Sequence, residues 1–333
     1  MRDIAILPKE DRAELFLDVA DEMNLRPSVI EKDFWVCWTL DYLFHRSMWK
    51  KNLVFKGGTS LSKAYDLISR FSEDIDLILD WRVLGYSINQ PWEERSRTEE
   101  EKFKKEIEIK TQEFLEKCFL PAIKTEIEAE LGTAVQLEAD KENIQAVNFA
   151  YPKVYSDGYL NEEIKLEIGT LALWTPATFQ KISPYSAQRR PNLFKIRETD
   201  VLTVTSERTF WEKATILHQE ANRLKNSPIP ERYSRHYYDM YKMSCSICKS
   251  NAFEQKALLD EVAEFKNKFY YRGWARYDEA KIGTLKLMPP AHAIEYLEKD
   301  YKKMQNMLFG AEKPTFSEIM DEIEKLEAEI NSL

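Results

Sequence analysis

Glycine is scarce in this 333-residue chain, at nine residues, and cysteine scarcer still, at four. So little glycine leaves few positions where the backbone can turn through left-handed conformations, and it argues against a loop-rich or collagen-like chain. Cys37, Cys118, Cys245 and Cys248 are too sparse for a disulfide framework. Long apolar runs are missing too. No stretch approaches the ~18 residues of a membrane span, and Met1-Arg2-Asp3-Ile4 lacks the apolar core of a signal peptide. A soluble, reduced, cytoplasmic protein with no membrane partner is expected. Positive charge is in the minority: 48 Lys and Arg against 57 Asp and Glu give a formal net charge of −9. Bulk charge therefore does not announce a nucleic-acid partner, and any such surface must be local.

What is present belongs to a folded protein. With 44% hydrophobic and 12% aromatic residues the chain is not disordered, and 32% charged residues point to many solvated helices. At ~100 to 200 residues per domain, its length suits two lobes. Helices are expected from Lys9 to Met23, and from Pro27 to about Leu43, where Ser28 and Glu31 have capping-box spacing and Phe34, Trp35, Trp38 and Leu40 mark burial. A charge-rich helical stretch between Glu93 and Gly132 carries Phe103, Ile107, Phe114 and Cys118 on one face, with Pro121 dividing it. Strand patterns occupy Leu53-Val54-Phe55, Ile75 to Leu79, Val135 to Glu138, Gln145 to Tyr151, Glu163 to Ile168 and Val201 to Val204. Beyond them the chain reads as helix. Thr205 or Ser206 caps a repeat of Phe210, Ala214, Leu217, Ala221 and Leu224, and Thr315 with Glu318 opens the last helix. The expected fold class is α+β, with a lobe at 1–204 and a mainly helical lobe at 205–333.

The chemistry centres on Ser72-Glu73-Asp74-Ile75-Asp76-Leu77. Alternate residues of a strand point to one face, so Asp74 and Asp76 project together while Ile75 and Leu77 face the core. Two carboxylates so placed repel unless a cation sits between them, and hard oxygen donors suit Mg²⁺ or Mn²⁺. An isolated D-x-D can equally be a solvated strand edge. Upstream, the strand ending in Phe55 breaks into Lys56-Gly57-Gly58-Thr59-Ser60-Leu61-Ser62-Lys63. There Gly57 and Gly58 permit close backbone approach, Thr59, Ser60 and Ser62 bring hydroxyls, and Lys63 brings a cation for a triphosphate. The order of a Walker A loop is absent. A glycine turn joined by a short helix to a strand bearing D-x-D is the arrangement of polymerase β-like nucleotidyltransferases, and Glu167, in Lys165-Leu166-Glu167-Ile168, fits a third carboxylate or an exposed strand acid.

Taken in order, Glu31-Lys32-Asp33, the glycine turn, Ser72 to Asp76, Lys165 to Ile168, Glu207-Arg208-Thr209-Phe210-Trp211-Glu212-Lys213 and Arg235-His236-Tyr237-Tyr238-Asp239 resemble the bacterial AbiEii/MenT-type nucleotidyltransferase toxins of abortive-infection and toxin–antitoxin systems. The resemblance runs over nearly the whole chain. It implies a polymerase β-like nucleotidyltransferase core followed by a helical lobe that completes the site. By resemblance Asp74 and Asp76 bind metal, with Glu167 as a further ligand. Lys213 contacts the nucleotide phosphates, Asp239 completes the catalytic set, and Gly57, Gly58, Thr59, Ser60, Lys63, Lys165, Arg235 and His236 line the nucleotide. The implied substrates are a nucleoside triphosphate and RNA, in particular the 3′ end of tRNA, and the implied partner is a cognate antitoxin. Nothing in the sequence asks for an oligomer, so a monomer is expected.

Read without the family, Lys213 lies at the edge of the apolar face of its helix and could snorkel to water. Asp239 borders a stripe of Tyr238, Tyr241, Cys245 and Cys248, and Cys245-Ser246-Ile247-Cys248 has no second Cys or His pair, so it reads as packing. Tyr270-Tyr271-Arg272-Gly273-Trp274-Ala275-Arg276-Tyr277 interleaves basic and aromatic groups suited to RNA, or equally to a core edge with solvated arginines. Two rival functions use the same residues: nucleotidylation of a protein hydroxyl, and a non-catalytic module that binds nucleotide or antitoxin.

Overall fold

The computed structural model describes residues 1–156, 158, 161–308 and 313–333. The chain divides into two compact units, one of Met1–Ala64 with Ser72–Thr203, the other of Tyr65–Phe71 with Val204–Leu333. Mixed sheet in the first and helices in the second make it α+β.

The first unit is built on a seven-stranded sheet: β1 (Leu53–Lys56), β2 (Ile75–Leu79), β3 (Gln136–Ala139), β4 (Ala146–Ala150), β5 (Ile164–Gly169), β6 (Ala177–Ile182) and β7 (Thr199–Val204), in the order β3-β4-β5-β2-β1-β7-β6. β1 and β2 are antiparallel with Lys56 opposite Asp76, whereas β2 and β5 run parallel with Asp76 beside Glu167. Buried Ile75, Leu77, Ile164, Leu166 and Ile168 alternate with half-buried Asp76 and Glu167, as period-two strands require. The helix Pro27–Asp41 supplies an aromatic ridge to this core. Trp35 stacks on Tyr151 at 5.8 Å, and Trp38 meets Phe149 at 6.3 Å and Tyr42 at 5.9 Å.

Two local expectations need correction, and one strand, β6, lies outside those expected. Ser28 and Glu31 form no capping box: the helix begins at Pro27 behind Arg26 without a side-chain cap, because Glu31 turns inward to other donors. Cys118 is exposed rather than on the apolar face of the charge-rich helical stretch. There the helix Arg97–Phe114 passes through a π turn, Leu115–Phe119, before Leu120–Leu131, and the widened turn shifts the phase so that Phe119 is buried instead. β6 follows no alternating pattern, since it is an edge strand whose Phe179 is exposed.

In the second unit Thr205 caps the helix Ser206–Ala221, its side chain accepting from the Arg208 N–H. That helix ends before Leu224, which is exposed. It packs with Ser234–Ser244 and Ala257–Phe269. The cysteine stripe is broken by a cap at Cys245, which is exposed, while Cys248 is buried on the next helix, Ile247–Glu254. Phe316–Asn331 closes the chain behind a full capping box of Thr315 and Glu318. Among the described residues no helix is long and apolar enough to cross a membrane.

Candidate active site

In the first unit, β1 ends directly in the helix Gly57–Lys63. Gly57 has φ +82°, where a side chain would be strained, and a Cβ there would lie 2.6 Å from Asp76 Cγ. Glycine is thus required twice over, by backbone conformation and by the carboxylate beside it. No side chain caps this helix. The hydroxyls expected to face phosphate are turned to the backbone: Thr59 donates to the Asp74 carbonyl, Ser60 Oγ to the Gly57 carbonyl at 2.8 Å and Ser62 Oγ to the Thr59 carbonyl at 3.1 Å. Thr59 and Ser60 are buried. Their donors fix the turn and leave its backbone, Gly58 included, to meet a ligand.

Lys63 likewise points away from the role first given it. Its ammonium pairs with buried Asp33 at 2.6 Å and lies 4.0 Å from the Tyr185 ring centroid. Burial alone would pull its pKa down, but Asp33 outweighs that and raises it. The pair with Asp33 ties the helix Gly57–Lys63 to the helix Pro27–Asp41 and so anchors the glycine turn.

Asp76 and Glu167 stand side by side across β2 and β5. Glu167 accepts from Asn143 Nδ2 at 3.5 Å and lies 3.7 Å from Lys165 Nζ, which also approaches Asp140 at 3.4 Å. Asp140 is pulled down to about 2, chiefly by hydrogen bonds from the Asn143 backbone and the Asn148 side chain. Asp74 lies one residue ahead of β2. Among the described residues, no three His, Cys, Asp or Glu side chains are gathered as ready metal ligands. Glu167, expected as a third carboxylate with Asp74 and Asp76, lies beside Lys165. Chemically the donors still fit a hard divalent cation: carboxylate oxygens from adjoining strand positions, with Gly57 keeping one side clear.

The second unit assembles another cluster. Arg70 grips Asp239 through both carboxylate oxygens, at 2.6 and 2.8 Å, and Lys213 Nζ shares Oδ2 at 2.6 Å. All three are buried. Burial alone would raise the Asp239 pKa, but the two cations hold it well below the carboxylate range. Burial pulls Lys213 down, with Asp239 opposing and Arg70 reinforcing. His236 Nδ1 lies 3.4 Å from Lys213 Nζ, and burial plus that neighbouring charge pushes it well below the usual histidine range. Arg235 is half-buried on the same helix. Lys213 is therefore no snorkelling lysine. Sequence reasoning placed Lys213, His236 and Asp239 here and missed Arg70, which lies in an irregular segment with no periodicity.

Of the basic aromatic segment, Tyr270, Tyr271 and Arg272 are exposed, while Ala275 and Tyr277 are buried. Trp274 has the Arg223 guanidinium 5.0 Å and that of Arg272 5.8 Å from its ring centroid.

The mixed sheet sets Asp76 and Glu167 in register, with Asp76 against the glycine turn. The sequence profile described as "Nucleotidyl transferase AbiEii toxin, Type IV TA system" matches residues 40–322, and the chain belongs to that family of nucleotidyltransferase toxins. Among curated protein sequences none matches it. Its structure is similar to MenT4, a nucleotidyltransferase toxin from Mycobacterium tuberculosis H37Rv, at 15% identity and a TM-score of 0.48 over 97% of this chain and 99% of that one. JHP933 from Helicobacter pylori is similar at 12% identity and a TM-score of 0.41, over 91% and 94%.

Proposed function

We propose that this nucleotidyltransferase is metal-dependent and transfers a nucleoside monophosphate from a nucleoside triphosphate to the 3′ end of an RNA, with tRNA as the acceptor. The observation that carries the reading is the placement of Asp76, against Gly57 on one side and in register with Glu167 on the other. Asp74 and Asp76, with Glu167 recruited on loading, would hold Mg²⁺ or Mn²⁺, which when bound favours ionisation of the attacking hydroxyl and neutralises the leaving pyrophosphate. The glycine turn takes the phosphates on its backbone. Lys213, which shares its carboxylate with Arg70, supplies a cation to the nucleotide phosphates, with Arg235 and His236 beside it. The acceptor's 3′ oxygen attacks the α-phosphorus in line, and the bond to pyrophosphate breaks as the new one forms.

RNA as acceptor is supported by the exposed Tyr271 and Arg272, with the Arg272 guanidinium 5.8 Å from the Trp274 ring centroid, a grouping that suits phosphates and unstacked bases. Toxin–antitoxin membership implies an antitoxin partner. The test is transfer of label from α-labelled nucleoside triphosphates, offered separately with total tRNA and total protein. Label on tRNA with the intact chain and none with Asp76→Asn is the expected result. Label on protein alone would replace the acceptor, and full activity of Asp76→Asn would overturn the site.

A further inference from the structure

Glu31, Lys32 and Asp33 are consecutive charged residues on the helix Pro27–Asp41, and all are buried, at 0%, 0% and 3% exposure. Consecutive helical side chains diverge by ~100°, so one neighbour cannot satisfy all three. Each reaches a different segment. Glu31 accepts from the N–H groups of Val154 and Tyr155 at 2.7 and 2.8 Å. Lys32 donates to Glu73 Oε2 at 2.6 Å and to the Asn161 carbonyl at 2.5 Å. Asp33 accepts from Lys63 Nζ at 2.6 Å and from the Tyr185 N–H at 2.7 Å.

Two of these contacts land on the segments that the proposed function uses. Glu73 directly precedes Asp74, on the approach to β2, and Lys63 closes the helix that Gly57 opens. Buried ion pairs are poor sources of stability compared with apolar packing, but they are directional. Two such pairs beside a glutamate held by two backbone N–H groups fit a demand for geometry better than a demand for cohesion.

We infer that Lys32 and Asp33 are positioning residues for nucleotidyl transfer: Lys32 acts through Glu73 to fix Asp74 and Asp76, and Asp33 acts through Lys63 to fix the glycine turn. The inference rests on the proposed reading of that turn and carboxylate pair as the reactive site. It divides the kinetic labour. The Lys32–Glu73 pair governs the turnover step, and the Asp33–Lys63 pair governs nucleotide binding.

The experiment uses the full chain, total tRNA and the four α-labelled ribonucleoside triphosphates, with circular dichroism and melting temperature as fold controls. Lys32→Met/Glu73→Gln removes both charges of one pair, so neither is left unpartnered. It is expected to fold and to lose about 10-fold or more in kcat with the nucleotide KM little changed. Asp33→Asn/Lys63→Met is expected to raise the nucleotide KM about 10-fold, with the smaller effect on kcat. Should either fail to fold, Lys32→Arg keeps the charge and displaces the hydrogen bond, and a lowered kcat is again expected. Folded variants with unchanged kcat and KM overturn the inference. Asp76→Asn separates the two levels: an active Asp76→Asn sinks the site itself, whereas an inactive one beside full-rate Lys32 and Asp33 variants sinks only their positioning role.

Discussion

Arg70 and Asp239 are 169 residues apart in sequence, yet the guanidinium of one takes both oxygens of the other's carboxylate inside the helical unit. Lys213 adds a third donor to a group already paired. The carboxylate is thus over-supplied with donors, and removing Arg70 leaves it dependent on one flexible lysine.

Arg70→Met is accordingly expected to destabilise the protein by roughly 3 to 5 kcal/mol, because it strips one partner from a buried ion pair and leaves the other charge behind. Arg70→Met/Asp239→Asn/Lys213→Met, which removes all three buried charges, should recover much of that loss. Thermal unfolding of the two variants checks this, and a triple variant no more stable than the single would refute it.

Gly57→Ala and Gly132→Ala test two demands on glycine. Both positions have positive φ, +82° and +68°, but a Cβ at Gly132 meets open space whereas one at Gly57 meets the Asp76 carboxylate. Gly132→Ala should cost about 1 kcal/mol of backbone strain and leave transfer intact. Gly57→Ala must displace Asp76 and should lower kcat about 100-fold, the scale of loss that follows a misplacement of ~1 Å. Equal activities for the two variants would remove Asp76 from the chemistry.

His236 makes the helical unit sensitive to acid. Its folded pKa is depressed, so below the ordinary histidine value near 6.5 the unfolded chain takes up a proton that the folded chain refuses. Stability is complete above that value and lost as pH falls toward the folded pKa. The slope reaches about 1.4 kcal/mol per pH unit for each such group. Buried His218, also shifted down, acts in the same sense. Melting temperature should therefore drop between about pH 7 and pH 5, and His236→Gln should flatten the fall without abolishing it. An unaltered slope in that variant would count against the lowered pKa of this ring.

What the sequence made legible was local. Asp76 and Glu167 declared themselves because strand alternation forces each between apolar neighbours, and Thr315 with Glu318 because a capping box closes within three residues. Long-range pairing left no such trace. Nothing about Ser69-Arg70-Phe71 announces a partner far along the chain, and the three charges at Glu31, Lys32 and Asp33 look like a solvated helix face until their distant partners are seen. Ser28 and Glu31 have the spacing of a cap, but the backbone N–H groups of Val154 and Tyr155 claim the glutamate. Cys118 departs from the expected face because it lies within a π turn, which shifts the helical phase, and no residue type signals such a turn.

The division of the chain is not a single cut. Residues 65–71 belong with the helical unit although residues on either side of them belong with the sheet. Exchanging the helical unit between two relatives by crossing over at Thr203 alone would pair one parent's Arg70 with the other's Asp239, and a graft that respects both units must carry a seven-residue insert along with the carboxyl-terminal piece. Recombination within such a lineage is therefore constrained at three junctions, and hybrids that respect all three should outlast those that respect only the last.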